Sequence, residues 1–149
     1  MAPVTGSSLR KPPVPEGGLS IAEAARRSGV SVYTLRYYER AGLMATVPER
    51  TTRGSRRYHA ADLKWIRICT RLRGTGMPIE LIRRYAELVR AGAGNEPQRL
   101  EVLESHRAQV AAELATLTGH LELIDDKIDA YRRQLADGNA SDLWSTPRR

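Results

Sequence analysis

Only one of the 149 residues is cysteine, so the chain has no internal disulfide, and the redox setting it suggests is a reducing cytoplasm. No apolar run approaches the roughly 20 residues that a membrane-spanning helix needs. The opening stretch, MAPVTGSSLRKPPVPEGG, carries Arg10 and Lys11 with no apolar segment behind them, so no secretory signal is expected. Catalytic signatures are equally scarce. There is no phosphate loop, no nucleophile motif and no close carboxylate pair, so neither an enzyme nor a bound cofactor is expected. His106 and His120 stand two heptads apart, roughly 21 Å along a helix, and cannot share a metal ion within one chain.

Acidic residues are few in the front part of the chain. Residues 1–90 hold 17 Lys+Arg against 7 Asp+Glu, a net of +10, whereas residues 91–149 hold 7 against 10, a net of −3. A basic head followed by a mildly acidic extension points to polyanion binding in the first part and assembly in the second. The Pro-, Gly- and Ser-rich residues 1–18 show no apolar periodicity and read as a disordered arm.

Residues 19–43 spell two short helices and a tight turn. Ser20 and Glu23 have capping-box spacing, with Leu19 placed as a hydrophobic staple. Gly29 supplies a turn, Ser31 an N-cap, and Gly42 with Leu43 a Schellman stop. On the second helix, Leu35 and Tyr38 share an inward face. Tyr33, Arg36, Tyr37 and Arg40 follow i, i+3, i+4, i+7 and share an outward one. Arginine can pair with phosphate or guanine edges and a tyrosine hydroxyl can fix a phosphate oxygen, so this face suits a DNA groove. A hairpin is expected next, with arms Met44–Val47 and Arg56–Tyr58 and a bend at Gly54. Its cations Arg50, Arg53, Arg56 and Arg57, beside Tyr58, suit a wing lying along the phosphate backbone.

A third helix is expected over Ala60–Arg73, capped by His59, with Leu63, Ile66, Cys69 and Leu72 inward and Arg67 and Arg71 outward. Cys69 is the only candidate thiol sensor, although its apolar face suits a buried, inert thiol. Pro78 suits the start of a fourth helix running to about Arg90. The AGAG of residues 91–94 reads as a hinge before a long helix beginning at Asn95 and Pro97.

That helix carries a heptad repeat. Leu100, Leu103, Val110, Leu114, Leu117, Leu121, Ile124, Ile128, Tyr131 and Leu135 alternate in steps of three and four, with Arg107 the one polar interruption. A helix of about 39 residues, some 58 Å long, with so narrow a seam needs a partner helix, which makes residues 95–135 a coiled-coil dimerisation element. Its polar face is acidic, which argues against membrane binding. Residues 136–149, including Trp144, read as a flexible tail.

TLRYYERAGL, an arginine-rich segment ending in RRY, then DLKWI and GTGMPIELI together resemble the MerR family of bacterial transcription regulators. The resemblance covers residues 19–90 closely, and the dimer helix in position and length. It implies a mainly α fold: a winged helix-turn-helix head, residues 19–90, and an antiparallel coiled-coil homodimer. It also implies a palindromic promoter site with an over-long spacer, which the dimer bends and untwists, acting on RNA polymerase indirectly through the promoter. Arg36 and Tyr37 then match the family's recognition-helix contacts, and Arg56, Arg57 and Tyr58 its wing contacts. The absence of cysteines after Cys69 differs from metal-sensing members, and the short outline resembles the aldehyde- or thiol-stress branch. The position that carries a third-helix cysteine in some of that branch falls on Arg71 here. The competing reading is a coiled-coil adaptor whose basic head binds an acidic protein.

Overall fold

The computed structural model describes residues 11–138 and places them in two units, dividing after Leu103. The elements are α1 (Ile21–Ser28), α2 (Val32–Arg40), β1 (Glu49–Arg50), β2 (Arg56–Arg57), α3 (Ala60–Gly74), α4 (Ile79–Arg90) and α5 (Glu96–Ala136). The fold is therefore mainly α with one short antiparallel ribbon, as the sequence implies.

Local chemistry sets the helix limits in the first unit. Ser20 Oγ accepts the Glu23 N–H at 3.2 Å and starts α1. The reciprocal half of the expected capping box does not form; the Glu23 carboxylate pairs with Arg26 one turn on. Ser31 caps α2 through the Thr34 N–H at 3.0 Å. The stop at the end of α2 is a Schellman motif. Leu43 N–H reaches the Tyr38 carbonyl at 2.9 Å, Gly42 N–H reaches that of Glu39 at 3.2 Å, and Gly42 sits at φ +72°. A side chain there would be forced into the left-handed region. At the head of α3 the buried Asp62 carboxylate accepts the His59 N–H at 2.7 Å.

Leu35, Leu43, Tyr58, Ile66, Cys69, Met77 and Ile82 form the fully enclosed centre, to which α2, α3, α4 and the segments between them contribute. The chain leaving α2 is held by side chains from two helices. Trp65 Nε1 donates to the Leu43 carbonyl at 2.7 Å, Arg83 Nε to that of Ala41 at 2.7 Å, and Arg90 to that of Met44. Trp65 also stacks on Tyr85 with ring centroids 5.7 Å apart. These bonds satisfy carbonyls that a helix end would otherwise leave open, and they fix the direction of α2.

Three expectations need correction. The first hairpin arm is Glu49–Arg50, not Met44–Val47. Met44 and Ala45 are drawn into the core, and Pro48, which has no N–H to give a ladder, precedes the pairing. The second arm stops at Arg57, because Tyr58 pairs instead with Leu19, by backbone bonds of 2.8 and 2.9 Å. The arm expected to be disordered is ordered over residues 11–18. Val14 packs against the core, Lys11 Nζ donates to the Arg27 carbonyl at 2.6 Å, and Arg27 donates to that of Pro12 at 2.7 Å. Arg10 lies outside the described residues.

The first unit also reaches past the expected hinge. Asn95 Nδ2 donates to the Leu88 carbonyl at 2.8 Å, Arg99 Nε to Asn95 Oδ1 at 2.7 Å, and Val102 packs against the core. The second unit is the remainder of α5. On the single chain the ten seam residues from Leu100 to Leu135 are 36–81% exposed. Ala136 ends the helix, and the tail, with Trp144, lies outside the described residues. Among the described residues no helix is long and apolar enough to cross a membrane.

Candidate nucleic-acid interface

Helix α2 turns its apolar residues inward and leaves the expected polar face open. Leu35 and Tyr38 are buried, and the Tyr38 hydroxyl meets Thr70 Oγ1 at 3.2 Å. Tyr33 is 72% exposed, Arg36 and Arg40 are exposed, and the Arg40 guanidinium sits over the Tyr33 ring, 5.9 Å from its centroid. Tyr37 is different. Its ring is half-buried against the core, so it has less reach outward than its helical position suggests.

The ribbon stands beside this helix. Glu49 pairs with Arg57, and Arg50 with Arg56. The turn is closed by the Thr51 N–H to the Ser55 carbonyl at 2.8 Å and by Gly54 at φ +82°. A strand's side chains alternate between its faces, so each cross-strand pair occupies its own side. On one side Arg50 and Arg56 both reach Glu39 of α2, Arg50 at 3.5 Å and Arg56 closer still. On the other, the Glu49 carboxylate meets His59 Nε2 at 3.1 Å. Arg53 lies exposed in the turn and Arg57 is partly exposed. Among the described residues Arg36, Arg40, Arg53 and Arg57 make no ion pair, which leaves their cations available to an anion.

A cleft of about 250 Å³ joins the elements. Ser20 and Ile21 of the α1 start, Arg36 of α2, and Gly54, Ser55 and Arg56 of the wing line it. The structure thus brings Arg36 next to the wing. It does not bring Tyr58 there: that ring is 2% exposed, and burial, with Glu39 nearby, pushes its hydroxyl above the ordinary tyrosine range. Its alternation with Arg57 places Tyr58 on the core side, a consequence of strand parity. Cys69 is also enclosed. Burial pushes its thiol up to about 11, with Arg73 pulling weakly the other way, so at neutral pH it is neither exposed nor ionised.

Residues 19–88 match the family model described as MerR HTH family regulatory protein. An HTH-type transcriptional regulator of Haemophilus influenzae is 35% identical over 79% of this chain and 87% of its own length. The chain belongs to the MerR family. Two crystal structures extend the likeness to the fold. A MerR family transcriptional regulator from Listeria monocytogenes is 36% identical, with a TM-score of 0.72, over 81% of this chain and 91% of that one. HiNmlR, a MerR family regulator lacking the sensor domain, bound to promoter DNA, is 34% identical, with a TM-score of 0.62, over 80% of this chain and 94% of its own. In this MerR-family chain, Glu39 is the residue that reading the sequence missed. It lies between Tyr38 and Arg40 in TLRYYERAGL, and the one acid of that motif, set between Arg36 and Arg40, was the signal.

Proposed function

We propose that this chain is a homodimeric transcription regulator that binds a palindromic promoter site with a long spacer and bends and untwists it to control initiation. The observation that carries this reading is the open cationic surface: Arg36 and Arg40 on α2, with the Arg40 guanidinium over the Tyr33 ring, and Arg53 and Arg57 on the wing. Such a face suits a helix entering a major groove and a ribbon lying on phosphate. An acidic-protein adaptor would need no winged head. The exposed α5 seam supplies the second copy, as an antiparallel coiled coil, and two identical heads call for an inverted repeat.

Distortion is reasonable on magnitude. Smoothly bending an operator-sized duplex costs roughly 1–6 kcal/mol, which several phosphate contacts per subunit can offset. RNA polymerase is then reached indirectly, through the altered promoter. The test is to select bound fragments from a genomic library and measure affinity against salt, with end-to-end energy transfer to read bending. For about 8–10 neutralised phosphates, log affinity falls against log salt with a slope of about −7 to −9. Equal affinity for selected and scrambled fragments would sink the proposal.

A further inference from the structure

We propose that Glu39 is a positioning residue that latches the wing to the recognition helix, and that Arg50 and Arg56 serve this latch instead of the duplex. The inference rests on the DNA-binding reading above and deepens it.

Three observations lead to it. First, the ribbon is too small to stand alone: it has two residues per strand, and isolated two-stranded hairpins are marginal even when longer. Second, Arg50 and Arg56 are direct cross-strand partners, an arrangement that like charge disfavours unless an anion lies between them. Glu39 is that anion. One of its oxygens meets Arg50 and the other meets Arg56 Nε, and both atoms of the second contact are shut off from solvent. Third, Arg50 uses its remaining reach inside the wing, donating to the Gly54 carbonyl at 3.0 Å. One carboxylate on α2 is thereby tied to both strands and, through Arg50, to the turn that carries Arg53. The Glu39 contact also raises the Arg56 guanidinium above its ordinary range.

The latch inverts a simple electrostatic expectation. Removing a carboxylate beside a polyanion site should tighten DNA binding for every sequence. If Glu39 sets the wing, Glu39→Gln instead weakens binding to the selected site, by about tenfold or more, since removing one partner of an ion pair shut off from solvent leaves the other charge uncompensated.

The experiment measures affinity and salt slope for the full-length chain on a selected promoter fragment, together with hydrogen exchange of the wing amides without DNA. The variants are Glu39→Gln, Arg56→Gln and the two combined. The expected result is that each single variant weakens specific binding and speeds wing exchange at least tenfold. The double variant is no worse than either single one, and Arg56→Gln leaves the salt slope unchanged. Tighter binding by Glu39→Gln, or a slope flattened by about one for each Arg56 removed, overturns the latch and returns Arg56 to the phosphate contacts. Glu39→Arg combined with Arg56→Glu restores wing protection if charge pairing is what matters; no recovery also counts against it. Failure of the wild-type chain to retain any promoter fragment would instead overturn the function reading, whatever the wing amides show.

Discussion

Placing a charge at two positions of the α5 seam, Leu117→Asp with Ile124→Asp, should separate the proposed dimer into folded monomers. The magnitude follows from exposure on the single chain, 59% for Leu117 and 52% for Ile124. Fully burying such a side chain stabilises by roughly 1.5–3 kcal/mol, so about half of that is available on pairing. Two positions in each of two chains then account for roughly 3–7 kcal/mol, or about two to five powers of ten in the dimer dissociation constant. The carboxylates add a further desolvation penalty. Neither residue belongs to the core cluster, so the head keeps its fold. Light scattering and sedimentation across low micromolar concentrations read the mass, with circular dichroism to follow the helix. Leu123→Asp is the control: it is 60% exposed, but lies at an outward heptad position and should leave the dimer intact. A double variant that still sediments as a dimer, or a Leu123 variant that dissociates as readily, would show that the heptad seam is not the interface.

Arg36→Ala should weaken binding to the selected site by about 1–3 kcal/mol if the guanidinium reads a base edge, and competition titrations would detect the loss. Arg57→Ala should lower affinity for all sequences alike and flatten the salt slope by about one per contact removed, which separates a phosphate contact from a base contact. Trp65→Phe keeps the ring but strands the buried Leu43 carbonyl, costing about 1–3 kcal/mol in urea denaturation. For Cys69 the sign is set by a thiol raised from 9.0 to about 11 on folding. Stability is unaffected well below pH 9, where both states stay protonated, and falls by about 2–3 kcal/mol as pH rises through 9 to 11, because the unfolded chain ionises first. Cys69→Ala should flatten that window relative to wild type. Native-state labelling by a thiol reagent near neutral pH should be no faster than unfolding; rapid labelling would reopen the sensor reading.

Helix limits were legible because their signals are local. Ser31, Gly42 with Leu43, and Pro78 each act within one turn, and the structure uses each at or within a residue of its expected place. The Glu23 half of the first box failed because Arg26, three residues on, offered the carboxylate a charged partner. The ordered stretch of residues 11–18 was illegible for the opposite reason. Its contacts to Arg27 end on backbone carbonyls, Lys11 donating to that of Arg27 and Arg27 to that of Pro12, which no composition signal records.

The arginines of the wing show where pattern reading stops. Taken along the chain, Arg50, Arg53, Arg56 and Arg57 form one basic cluster with Tyr58 beside it, and a single role for all of them is the natural inference. The pleat divides that cluster. With Arg50 opposite Arg56 and Glu49 opposite Arg57, neighbours in sequence face opposite ways, and a register shifted by one residue would exchange their roles. Register in so short a ribbon comes from contacts distant in sequence: the Tyr58 bridge to Leu19, and the reach of Glu39 across to Arg50 and Arg56. Charge count therefore marked out the cluster but could not say which of its cations pair with an acid. Of the two arginines that end the wing, Arg56 is already matched to an acid, while Arg57 makes no ion pair among the described residues.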